Sequence, residues 1–224
     1  MIEQFFAIIR RVLRHRETQQ YEKALDAIRA AYKAFLGCDE KFIDSHSADD
    51  LVGMMNDRIL QPEQVVMAAK LLAEHAETLE VLEALDEAAR LRCKSLALYL
   101  EVFLGAGAPT LESCFEDIDR LAESLRPVGI PLDSAARLPF YLERRNRLAE
   151  AEDALFLAAD AAPAGHGVFA EGTSFYKRLM SRPAAELEAG GLPLAEVEEG
   201  RTAFEAVATR KRGVPRSSKG SRVT

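Results

Sequence analysis

The chain is poor in the residues and runs from which most chemistry is built. Its three cysteines, Cys38, Cys93 and Cys114, are odd in number and form no CxxC pair. They suggest neither a disulfide framework nor a zinc knuckle, and a reducing compartment fits them best. The four histidines, His15, His46, His75 and His166, are widely separated; none follows a glutamate by three residues, and no HExxH occurs. No metal site is therefore expected. A GxSxG elbow and a GxxxxGK phosphate loop are both missing, so neither an acyl-transfer nucleophile nor a nucleotide cradle is indicated. No apolar run approaches the roughly 18 residues that span a bilayer, and the start shows no signal-peptide order. The expectation is a soluble, cytoplasmic protein without cofactor or catalytic activity.

What the chain does have is material for a core. Of its 224 residues 48% are hydrophobic, enough to fold without staples. The formal net charge of −7 argues against general adhesion to nucleic acid.

The stretch Gln64 to Leu104 organises the rest. Val65, Val66, Ala69, Leu72, Ala73, Ala76 and Leu79 recur at helical spacing, with Lys70, Glu74, Glu77 and Glu80 mostly off that face. After a weak break at Glu83 to Asp86 the pattern resumes through Leu85, Ala88, Leu96, Tyr99 and Phe103. Two helices with small residues at Ala73, Ala76, Ala88 and Ser95 predict an antiparallel hairpin whose backbones approach closely.

Taken in order, Ile2 to Arg16 is an amphipathic helix with Ile2, Phe5, Phe6, Ile9, Val12 and Leu13 on one face and arginines beside it. It reads as the first helix of a bundle, or as a surface for a membrane or partner. A second helix runs from Tyr21 to Leu36 and stops at Gly37, a residue suited to the left-handed position past a helix end. Ser47 with Asp50 opens a short helix, and Pro62 sits at a helix start. Gly105 to Pro109 is a linker turn, since Thr110 replaces the third glycine of a dinucleotide fingerprint and no strand precedes it. Further helices are expected at Leu111–Leu125, after a cap at Asp133 or Ser134 with Pro139 kinking it or marking its start, and at Leu148–Ala161, Thr173–Met180 and Leu194–Val207. From Arg210 onward no periodicity remains, which predicts disorder.

The segments beginning at Gln20, Ala84 and Arg147 align on Ala24, Ala88 and Ala151, and a small residue recurs seven positions later at Ala31, Ser95 and Ala158. This resembles the second helix of a tetratricopeptide repeat, with Pro163 at the motif's closing proline, although the units lie about twice as far apart as in a regular array. Over its whole length, on MIEQFFAIIRRVLR, YEKALDAIRAAY and FYKRLMSRPAAELEAGGLPLAEVEEG, the chain is similar to an uncharacterised bacterial family of helical, degenerate tetratricopeptide-like proteins. The resemblance implies an all-α, right-handed array of antiparallel hairpins and no activity. The domain reading is a single helical domain over residues 1–209, with a sub-boundary at 105–109, and a basic tail at 210–224.

Candidate interaction residues are few. Arg137, Arg144, Arg145 and Arg147 cluster at the turn of the third hairpin, where they could grip a carboxylate or phosphate. Phe5, Phe6 and Ile9 form a candidate self-association face. The acids Glu112, Glu116, Asp119 and Glu123 line one helix face, ordinarily a solvated stripe, and Cys93 among Arg90, Arg92 and Lys94 is ordinarily a structural thiol. At the first-helix positions where some tetratricopeptide domains clamp a peptide terminus with lysine and asparagine, this chain has Ala73, Glu77 and Glu80, then Ala136, Phe140 and Glu143. The expected function is non-catalytic binding of a peptide or helix, from a partner or a second copy. Alternatives are nucleic-acid attachment through the basic tail, or an enzyme or ligand carrier marked by a pocket where His, Cys and carboxylates converge.

Overall fold

The computed structural model of the chain describes residues 2–56, 61–105 and 112–213. Among the described residues the fold is all-helical, without a strand. Two compact units divide the chain, Met1–Ser134 and Ala135–Thr224. The sub-boundary expected at 105–109 lies, apart from Gly105, outside the described residues.

The first unit begins with α1 (Ile2–Glu17) and α2 (Tyr21–Ala31), an α-helical pair packed together as expected. The backbone then widens into a π-helical turn, Tyr32–Leu36, before Gly37 ends it with φ of 69°. The stop at glycine was legible; the π-turn, where hydrogen bonding slips by one residue, was not. Two short helices follow, α3 (Glu40–Ser45) and α4 (Ala48–Asn56). The start of α4 is fixed by the expected pair: the Ser47 N–H donates to Asp50 Oδ2 at 2.9 Å and the Asp50 N–H to Ser47 Oγ at 3.1 Å, a reciprocal cap.

The central hairpin is α5 (Pro62–Val81) and α6 (Leu85–Leu104), joined by a tight turn with Glu83 at φ of 62°. Ala73, Ala76, Ala88 and Ser95 are all buried, and the Ser95 hydroxyl donates to the Ala69 carbonyl at 2.7 Å. A small residue with a donor thus lets the helices touch while satisfying itself. α5 is covered by α1, α2, α6 and α7 (Glu112–Leu125). It is therefore buried nearly all round, and Glu74, His75 and Thr78 lie inside with the apolar residues. The polar face expected on this helix is in part an interior.

α8 (Leu132–Arg144) starts before both expected caps and carries Pro139 within it. In the second unit α9 (Leu148–Ala161), α10 (Val168–Met180) and α12 (Leu194–Gly213) pack on one another, with the short α11 (Ala184–Ala189) against α12. α10 starts five residues earlier than the pattern indicated. A Cβ at Gly172 would lie 2.2 Å from the buried Phe204 ring, so only glycine lets α10 approach α12 this closely. α12 continues past Val207 to Gly213, so that residues 210–213, expected to be disordered, are helical. Lys211 Nζ donates to the carbonyls of Asp160 at 2.7 Å and Ala162 at 3.2 Å, satisfying the open C-terminus of α9.

Candidate functional site

Lys70, Glu74, Glu77 and Glu80 of α5 meet partners from three other helices. Arg16, in the last turn of α1, donates to Glu74 Oε2 at 2.7 Å and pairs with Glu77 at 2.5 Å. Lys70 bridges Glu74 at 3.1 Å and Asp117 of α7 at 2.8 Å. Asp117 also accepts from Arg120 at 2.8 Å and from the Tyr99 hydroxyl of α6 at 2.9 Å. Arg120 returns to Glu77 at 2.9 Å, and Arg92 of α6 pairs with Glu80. This cluster stitches α1, α5, α6 and α7 together.

Its interior members are buried and paired within the chain. Glu74 and Asp117 side chains are 2% and 10% exposed. Burial pulls the Lys70 ammonium down, but Glu74 and Asp117 outweigh it and hold its pKa above the ordinary value. Burial, then the Asp117 charge, pushes the Tyr99 hydroxyl well up. Tyr99 is a neutral donor to a carboxylate that also accepts from Lys70 and Arg120.

Two cavities, each of about 410 Å³, open on this face and share Arg120. One is bounded by Phe5, Phe6, Val66, Lys70 and the Cys114–Asp117 stretch of α7; the other by Ala73, Glu77, Glu80, Arg16, Arg92 and Ser124. Both are lined from α1, α5 and α7, with α6 contributing Tyr99 and Arg92. The positions Ala73, Glu77 and Glu80 therefore do face a cavity, with arginines brought to them by other helices. A third cavity, of about 510 Å³, lies between the π-turn, α3 and α4, lined by Leu36, Cys38, Phe42, Ile43 and Met54.

Of the predicted interaction residues, Phe5 and Ile9 are core, each 4% exposed, whereas Phe6 is 43% exposed at the cavity rim. Phe5 bridges the two settings, with its ring edge-to-face on Phe6 and on Phe35 of the π-turn at 5.9 and 5.4 Å. At the α8–α9 turn Arg147 is held by Glu150 through two bonds of 2.7 and 2.6 Å. Arg144 and Arg145 are exposed and Arg137 half-buried, and all three are engaged within the chain. Nearby, Glu143 is buried and gripped by Arg178 at 2.7 Å and Arg182 at 2.9 Å.

Of the acidic stripe, Glu123 is exposed and pairs with Arg126, whereas Asp117, outside the stripe, is the acid that folding buries. Cys93 is half-buried, and burial raises its pKa rather than activating it. Cys114, Glu116 and Asp117 converge in one cavity, but no histidine joins them there. Among the described residues no three His, Cys, Asp or Glu side chains are arranged to hold a metal ion. The buried His75 sits instead between the Tyr32 hydroxyl at 3.3 Å and Glu40 at 3.3 Å. Of the basic tail, Arg210, Lys211 and Arg212 are helical; Arg216, Lys219 and Arg222 lie outside the described residues.

No helix among the described residues is long and apolar enough to cross a membrane. No curated protein and no solved structure matches the chain. Residues 1–207 match the model of a family of unknown function, DUF6483, and the chain belongs to that family.

Proposed function

We propose that this is a non-catalytic, tetratricopeptide-like binding protein of the bacterial cytoplasm, whose α1–α5–α7 face receives a peptide or helix from a partner or a second copy. The observation that carries the reading is the pair of adjoining cavities on that face, one edged by the exposed Phe6 ring and the other by arginine–glutamate pairs. An aromatic anchor beside oriented charges is what a groove needs to seat an amphipathic segment. The repeat reading has support from the small residues: Ala24, Ala88 and Ala151 are each 0% exposed, and Ala31, Ser95 and Ala158 at most 1%. Half-buried free thiols at Cys38, Cys93 and Cys114 suit a reducing compartment.

Affinity capture from a lysate of the source organism, with the full chain and with Phe6→Asp, tests the reading. A partner held by the wild type and lost by a folded Phe6→Asp variant supports it. Equal capture by both moves the binding surface elsewhere. A second copy as occupant is read separately, as a concentration-dependent dimer that Phe6→Asp dissolves.

A further inference from the structure

The cavity opposite Phe6 has an uneven wall. Arg16, Arg92 and Arg120 reach it from three different helices, and only two carboxylates, Glu77 and Glu80, share that wall. Glu77 is fixed between Arg16 and Arg120, and those two arginines also pair with Glu74 and Asp117 respectively. Arg92 differs. Its side chain is 12% exposed, and its one carboxylate partner among the described residues is Glu80, which is itself 50% exposed. A guanidinium carries five N–H donors in a planar fork that matches a carboxylate, so a single half-solvated glutamate leaves Arg92 under-used.

We propose that this cavity is a receptor for one carboxylate, an Asp or Glu side chain on the segment that the α1–α5–α7 face receives, and that Glu80 is its internal stand-in. The inference rests on the groove reading above. On binding, Glu80 swings into solvent, its half-exposed position making that move easy, and the incoming carboxylate takes its place on Arg92 and the exposed edge of Arg120. The exchange is charge for charge. With Lys70 included, the cluster balances Arg16, Arg92 and Arg120 against Glu74, Glu77, Glu80 and Asp117. A monoanion restores that balance after Glu80 leaves, whereas a phosphate dianion overloads it. The remaining wall, Ala73, Val81 and Leu121, suits the methylenes of an acidic side chain.

The test is a calorimetric titration of the full chain at low salt with a hexaglutamate peptide, a hexaglutamine peptide and inorganic phosphate. Glu80→Gln removes the competitor and is expected to bind hexaglutamate about two- to fivefold more tightly than wild type, the scale of one partly exposed ion pair. Glu123→Gln changes net charge equally on an exposed site and is expected to change nothing. Ser124→Glu, which tethers a carboxylate inside the cavity, blocks the peptide, as does Arg92→Gln if its melting curve shows it folded. The proposal is overturned if Glu80→Gln leaves hexaglutamate affinity unchanged or weakens it, if Glu123→Gln strengthens it equally, or if phosphate or hexaglutamine binds as well. Should the peptide fail while Phe6→Asp still abolishes partner capture, the groove stands and the carboxylate receptor falls.

Discussion

Asp117→Asn removes one negative charge from the floor of the site and leaves its shape. The wild-type carboxylate accepts from Lys70, Arg120 and Tyr99 at 2.8, 2.8 and 2.9 Å. An amide keeps one acceptor oxygen and turns an N–H₂ toward whichever donor the other end faces. Removing one partner of a buried ion pair costs about 3–5 kcal/mol. Here Lys70 is 22% exposed and keeps Glu74, and Arg120 is 51% exposed, so its share is largely screened. The expected loss is about 2–3 kcal/mol, against about 1 kcal/mol for Tyr99→Phe, which deletes a single hydrogen bond. With a denaturant slope of about 3 kcal/mol per molar urea, the midpoint falls by nearly 1 M. Urea unfolding read by hydrogen exchange of α5 and α7 peptides isolates the first unit. Combined with Lys70→Met, the double variant should lose about 1–2 kcal/mol less than the sum of the two single variants, since the two residues are directly coupled. A cost below about 0.5 kcal/mol for Asp117→Asn, with no coupling to Lys70, would refute the view that these charges form a fixed floor.

Three further outcomes follow from the packing. Burial, opposed by Glu40 and Asp44 and reinforced by Arg29, lowers the His75 pKa below its ordinary 6.5. The unfolded chain then binds the extra proton first, so stability is full above pH 6.5 and declines as pH falls toward the depressed value; urea midpoints at pH 7.5 and 5.5 should diverge in wild type and converge in His75→Gln. Gly172→Ala drives a Cβ into the Phe204 ring, which is 1% exposed and has nowhere to go; overpacking of about 3 kcal/mol should appear as a lower melting temperature of the second unit, and an unchanged melt would show that α10 and α12 can separate. Ending the chain at Thr209 removes Lys211 and its two carbonyl contacts with α9, so that truncation should speed amide exchange at the end of α9 whereas one ending at Gly213 should not.

How far these features were legible in the sequence depends on whether a residue's neighbours lie along the chain or across the fold. The hairpins were readable because periodicity, Gly37, Pro62 and the Ser47–Asp50 pair act locally. The buried cluster was not, since Glu74 looks like a surface residue until α1 and α7 cover α5 from both sides. Asp117 did leave a trace. It stands beside Ile118 in the row Cys114, Ile118, Leu121, Leu125, on the apolar side of α7, and an acid on an apolar face asks for a buried partner. The arginines that answer Glu77 and Glu80 come from positions 16, 92 and 120, a convergence that no local pattern encodes. The extension of α12 was hidden for the same reason: Lys211 looks like tail composition, and its role depends on the end of α9.

Photocrosslinking from the groove tests the central claim most directly. A benzophenone amino acid placed at Phe6, at the rim of the site, is compared in cells with the same group at Leu157, which is 73% exposed on the second unit. The account predicts a discrete crosslinked species, to a partner or a second copy, from position 6 alone. Crosslinks of equal yield from both positions, or a discrete partner from Leu157 alone, would contradict it.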